Sequence, residues 1–100
     1  MTTSGAEAGT AAGIDLDRRY ALHPQVAVRP EPFGALLYHF GTRRLSFLKD
    51  PKLLAVVRML AEQPSARAAC AAAGVGANEL PRYRIALATL ARTEMLREAP

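Results

Sequence analysis

Residues 26–48 read VAVRPEPFGALLYHFGTRRLSFL, a stretch rich in aromatic and branched side chains. Two runs, residues 35–40 and Arg44–Leu48, flank a short turn at Gly41-Thr42, which is a hairpin signal. A shorter run over residues 26–28 precedes them across a Pro-Glu-Pro break. The pattern predicts three antiparallel strands. In the second, Leu36, Tyr38 and Phe40 share one face, while Ala35, Leu37 and His39 share the other. Both faces are largely apolar, so one should meet the helices and the other be partly covered by the preceding segment or by a partner. In the third strand Leu45 and Phe47 alternate with Arg44, Ser46 and Leu48, which predicts that Leu45 and Phe47 point to the core. Arg43, Arg44 and Lys49 suit an edge strand that must stay soluble.

From residue 50 the period changes to that of a helix. Asp50-Pro51 is a start signal, with Asp as cap and Pro at the first helical position. Leu53, Leu54, Val57, Leu60 and Ala61 recur at helical spacing until Gln63-Pro64. Ser65 caps a second helix, residues 66–73, closed by Gly74 in the left-handed conformation. Asn78 is read as the cap of a third, from Glu79 to about Arg92, with Pro81 in its first turn. Leu80, Tyr83, Leu87 and Leu90 form its inner stripe, and Arg82, Ile85, Thr89 and Arg92 a second stripe opposite. Met95-Leu96 follows as a short extended end. The fold class is α+β, winged helix-turn-helix-like, with a three-stranded antiparallel sheet followed by three helices.

The front of the chain is different. Residues 1–13, MTTSGAEAGTAAG, have no large apolar side chain after Met1 and predict a mobile tail. Residues 14–23 form a lead-in whose Leu16, Tyr20 and Leu22 dock on the body. The division expected is a flexible tail over 1–18 and one domain over 19–100, as 100 residues suit a single domain.

Charge and chemistry narrow the function. With 13 Lys and Arg against 9 Asp and Glu, the net charge is +4, which suits an acidic peptide or nucleic acid. The single cysteine, Cys70, excludes an internal disulfide and fits a reducing compartment. No signal peptide or span long enough for a bilayer is visible, so a cytoplasmic protein is expected. His23 and His39 are the only histidines, with no paired metal-ligand spacing, so no metal or other cofactor is expected. Cys70 among alanines reads as a small buried residue. Gly74 and Gly76 lack a phosphate-loop context. An enzyme is not expected.

Two binding readings follow. Residues 65–92 have the layout of a helix-turn-helix, whose second helix enters the DNA major groove. Arg82, Arg84 and Arg92 would then meet phosphates or bases, although Ile85 interrupts the stripe and base-reading Asn or Gln is missing from the helix. The other reading uses the open edge of the third strand, where an extended peptide adds as a strand beside the outward stripe of the third helix.

The segments HPQVAVRPEPFGALLYHFGTRRLSFLKDP and VVRMLAEQPSARAACAAAGV closely resemble the mycofactocin biosynthesis chaperone family, within the wider group similar to the pyrroloquinoline quinone biosynthesis protein D. The resemblance covers about three quarters of the chain, from His23 to Leu96. It implies a winged helix-turn-helix that recognises ribosomally made, modified peptides. Such chaperones bind the leader of a short precursor peptide and present it to a radical S-adenosylmethionine maturase, which modifies a C-terminal Val-Tyr. Carried over by element, the peptide-binding residues implied are Arg43, Arg44, Leu45, Ser46, Phe47 and Leu48 on the strand, with Arg82, Ile85, Thr89 and Arg92 on the helix. The family has no catalytic residue to carry over.

Overall fold

The computed structural model describes residues 14–99; the tail expected over residues 1–13 lies outside them. Strands β1 (Tyr20–Leu22), β2 (Val26–Glu31), β3 (Gly34–His39) and β4 (Arg44–Leu48) come first. Helices α1 (Pro51–Met59), α2 (Ala66–Ala72) and α3 (Leu80–Arg92) follow, with a 3-10 turn at Leu60–Glu62, and β5 (Leu96–Glu98) closes the chain. The three-stranded antiparallel sheet runs β2-β3-β4, as its period-two pattern predicts. A second sheet, β1 paired antiparallel with β5, adds to the expected three strands. Each of its strands is only three residues long, and the two lie at opposite ends of the chain, so nothing local announces the pairing.

Strand β3 is the centre of the sheet and sorts its side chains by period two. Ala35, Leu37 and His39 are buried against the helices, while Leu36 and Tyr38 are half-buried on the outer face. Cross-strand partners share a face. Because Leu37 faces Ser46 and Ala35 faces Leu48, the inward residues of β4 are Ser46 and Leu48. Leu45 and Phe47, expected in the core, stand opposite Tyr38 and Leu36 and are 54% and 59% exposed. A one-residue change of phase moves every side chain to the other face. Here the loop Phe40–Arg43, with Arg43 at a φ of 65°, sets that phase. Gly34 lets β3 meet the end of β4, since a Cβ there would lie 1.9 Å from the Leu48 carbonyl oxygen. Strand β2 continues through Pro30, which an edge strand tolerates.

The helices begin where expected, with one correction. The Asp50 side chain accepts from the Lys52 N–H at 2.9 Å, and Ser65 Oγ accepts from the Ala68 N–H at 3.1 Å. The residue at the N-terminal boundary of α3 is Glu79, not Asn78, and it makes no side-chain cap bond to the helix. Its carboxylate reaches back instead, accepting from the Gly76 N–H and pairing with Lys52 Nζ, both at 3.1 Å. That ion pair holds the start of α3 beside the start of α1. Leu53, Val56, Val57, Leu60, Ala69, Cys70, Tyr83, Leu87 and Leu90 form the core beneath the sheet.

The lead-in is tied down from its first described residue. Ile14 and Leu16 are buried, the Leu16 carbonyl accepts from the Arg67 N–H, and the Ile14 carbonyl accepts from Arg84 Nε. The lead-in thus packs near α2 and α3 and pairs with β5, and among the described residues the outer edge of β4 has no strand partner.

This assignment separates two substitutions on apolar residues. Leu87 is fully buried, so Leu87→Ala should cost about 2–5 kcal/mol in denaturant unfolding. Phe47→Ala, on the outer face, should stay within about 0.5 kcal/mol of the parent. Equal losses would place Phe47 back in the core.

Candidate functional site

In an antiparallel sheet the backbone groups of successive residues point to alternate sides of the strand. The Phe40 N–H donates to the Gln25 carbonyl, toward β2. By alternation Leu36 and Tyr38 also face β2, and Ala35, Leu37 and His39 face β4. Their partners Leu48, Ser46 and Arg44 close the β3–β4 ladder. Leu45 and Phe47 therefore direct their N–H and C=O groups away from the sheet, along the open edge. Arg44 and Lys49 flank these positions and are exposed.

Past the end of this edge, a cleft of about 210 Å³ opens between β4 and α3, lined by Lys49, Asp50, Leu53, Arg82, Tyr83 and Ala86. The Tyr83 hydroxyl donates to Asp50 Oδ2, joining α3 to the residue that caps α1. Burial alone would push the Asp50 carboxyl up. Donation from Tyr83 and from the Lys52 and Leu53 N–H groups outweighs it and holds the carboxyl below its usual range. Burial, reinforced by the Asp50 carboxylate, pushes the Tyr83 phenol up to about 12. The Arg82 guanidinium lies 5.2 Å from the Tyr83 ring centroid and contacts Glu79 Oε2 at 3.5 Å.

The expected site residues divide between these features. Arg43, Arg44, Leu45, Ser46, Phe47 and Leu48 form the loop end and strand, with Leu45 and Phe47 supplying the free backbone groups. Arg82 lines the cleft at the strand's far end. Ile85 does not: it is 56% exposed and lines a separate cavity with Leu16, Arg67 and Arg84. Thr89 and Arg92 are exposed, and Thr89 Oγ1 donates to the Ile85 carbonyl. Sequence reasoning passed over Lys49, Asp50, Leu53, Tyr83 and Ala86 as cleft residues. Asp50 and Tyr83 read from the sequence as cap and core, roles they also fill. The spacing from Arg82 to Ala86, one helical turn, is the signal that would have found that wall.

The groups considered for chemistry have structural roles. His39 is buried, and its Nδ1 accepts from the Gly41 and Thr42 N–H groups, fixing the β3–β4 loop. His23 packs beside it with ring centroids 4.4 Å apart, and its Nδ1 accepts from the Gln25 N–H. Cys70 is buried, and burial pushes its thiol up, opposite to what a nucleophilic thiolate needs. Among the described residues no group of three or more His, Cys, Asp or Glu could hold a metal, and no helix is long and apolar enough to cross a membrane.

The molecule is a small helix-turn-helix-like α+β module whose sheet ends in an unpaired strand beside a cleft. The comparisons narrow that class. The family model of the peptide chaperone MftB family matches residues 19–97. The chain is 61% identical over 92 residues to the peptide chaperone MftB of Mycobacterium ulcerans (strain Agy99), covering 91% of this chain and 84% of that one. It is 60% identical over 83 residues to that of Mycobacterium tuberculosis (strain ATCC 25618 / H37Rv), covering 83% and 76%. It is 53% identical over 96 residues to that of Mycolicibacterium smegmatis (strain ATCC 700084 / mc(2)155), covering 96% and 91%. No solved structure matches it. The chain belongs to the peptide chaperone MftB family.

The Asp50–Tyr83 contact makes a pH prediction. A carboxyl held below its unfolded value stabilises the fold above the unfolded range, and that contribution disappears as pH falls through the folded value. Tyr83→Phe removes the hydroxyl donor and raises the Asp50 carboxyl, so acid unfolding should begin at higher pH. In a tyrosine absorbance titration, the step at about 12 should be missing from the variant. An unchanged acid midpoint would mean that this bond does not stabilise the ionised Asp50.

Proposed function

We propose that the chain is a non-catalytic chaperone that binds the leader of a ribosomally made precursor peptide as an added strand along β4. It presents the peptide to a radical S-adenosylmethionine maturase in mycofactocin biosynthesis, in the cytoplasm. The observation that carries the reading is the open edge of β4, where Leu45 and Phe47 offer a donor and an acceptor each. Strand addition draws affinity from the main chain and selectivity from neighbouring pockets. The cleft, lined by Lys49, Asp50, Leu53, Arg82, Tyr83 and Ala86, has room for a side chain projecting from the incoming strand. The curated relatives are named for chaperoning peptides, a non-catalytic role. Delivery raises the effective concentration of the peptide's C-terminus at the maturase. On this reading the domain at residues 19–100 holds the whole site and residues 1–18 are not needed for contact.

The DNA-binding reading finds less support. Arg82 is engaged with Glu79, and Arg84 is held by the Ile14 carbonyl, so two of its three arginines already have partners on the chain.

Proline at Leu45 tests the edge. It removes an outward N–H but no bond of the β3–β4 ladder, and edge strands accept proline. Leu45→Pro should abolish binding of a labelled leader peptide in an anisotropy titration while the circular dichroism spectrum is retained. Leu45→Ala should keep affinity within about threefold, or about 0.7 kcal/mol. Ser46→Pro breaks the ladder and should lower stability. A folded Leu45→Pro variant that binds normally would end the strand-addition reading.

A further inference from the structure

The outer face of the β2-β3-β4 sheet is a second apolar surface, distinct from the β4 edge. Among the described residues, four of the five exposed large hydrophobics lie on it: Phe33, Phe40, Leu45 and Phe47. Leu36 and Tyr38, opposite Phe47 and Leu45, lie between them on the same face. The rings of Phe33 and Phe47 are 6.3 Å apart, and Phe40 meets Tyr38 edge-on at 5.0 Å. A hollow of about 380 Å³ lies among Phe33, Phe47 and Lys49. Exposed aromatic clusters of this kind on a small domain mark interaction surfaces.

The surrounding charge specifies the occupant. On β2, Arg29 and Glu31 share this face and are paired with each other, whereas residues 32–49 contain no Asp or Glu and Arg43, Arg44 and Lys49 are basic. None of those three makes an ion pair among the described residues. A second copy of this chain would bring like charges together around the face. Three cations also fall short of the roughly four to eight that anchor a protein to anionic lipid. The leader, added beside β4, would not lie over Phe33 and Phe40 at the two ends of β3. The face is three strands wide with strands about 4.8 Å apart, so one extended chain would cover a single strip of it and a folded surface is needed for the whole.

We propose that the outer sheet face docks a folded protein presenting an apolar patch fringed with carboxylates, and that this protein is the modifying enzyme of the function proposed above. The inference rests on that reading for the identity of the partner. Delivery of successive peptides requires that the contact be transient. The leader on the edge and the enzyme on the face then occupy different sides of β4.

The test uses the full chain, a labelled leader peptide and the purified radical S-adenosylmethionine maturase. Phe33→Ser and Phe40→Ser are combined, since both residues are exposed and neither belongs to β4. Affinity for the maturase should fall about tenfold or more, as for loss of interface anchors, while peptide affinity changes less than about twofold. In the unaltered chain, adding maturase should perturb the amide signals around Phe33, Tyr38 and Phe40. Unchanged maturase affinity in the double variant, or signals perturbed only elsewhere, overturns the proposal. An equal loss of peptide affinity makes the face part of the peptide site and also overturns it. Binding to vesicles containing 30% phosphatidylserine, or self-association, either one abolished by the two substitutions while maturase affinity is kept, assigns the face to lipid or to a second copy. If the unaltered chain binds peptide but no maturase, the docking inference fails and peptide binding stands. If it binds no peptide, the proposed function itself fails.

Discussion

The hydrogen bonds between β3 and β4 use one side of β4 only, and the consequences reach most of the molecule. Backbone donors and acceptors must be satisfied by protein or by water. Ser46 and Leu48 meet that demand through β3, but Leu45 and Phe47 have no strand partner for theirs among the described residues. A strand in this condition pairs readily with another chain, which natural sheets usually prevent with charge, twist or cover. This one carries Arg44 and Lys49 beside the exposed groups. Those charges discourage casual pairing with a second copy while suiting an acidic peptide.

Several features keep the edge open and hold its surroundings still. The lead-in is diverted into a pairing with β5 and anchored by bonds from Arg67 and Arg84. The Tyr83 hydroxyl on the Asp50 carboxylate connects α3 to the end of β4 through the α1 cap. The Glu79–Lys52 pair connects the same two helices a short distance away. The cleft is therefore framed by contacts between elements that also carry the fold.

Much of this was legible in the sequence because its signals are local. Asp50-Pro51, Ser65 and Gly74 mark helix ends by backbone chemistry that depends on few neighbours, and the hairpin follows from two apolar runs around a turn. The faces of β3 were separable by alternation, yet alternation alone does not say which face of β4 is inward. Leu45 and Phe47 look like core residues by their hydrophobicity, and only the register against Tyr38 and Leu36 turns them outward. The β1–β5 pairing depends on contacts across the whole chain. Among the candidate residues, the strand positions follow from the edge argument and Arg82 from its stripe. Ile85 was grouped with Arg82 by helical spacing, but the two line different cavities because the helix sits between the cleft and the lead-in. Tyr83 and Asp50 were hidden by already having good structural reasons to be where they are.

Amide hydrogen exchange at four consecutive residues of β4 tests the account most directly. In the free chain the Ser46 and Leu48 amides should be protected by the ladder with β3, and those of Leu45 and Phe47 should exchange freely. Saturating leader peptide should protect Leu45 and Phe47 while leaving Ser46 and Leu48 as they were. If Leu45 and Phe47 continue to exchange freely in the peptide-bound chain, no strand has been added at this edge, and the central claim is contradicted.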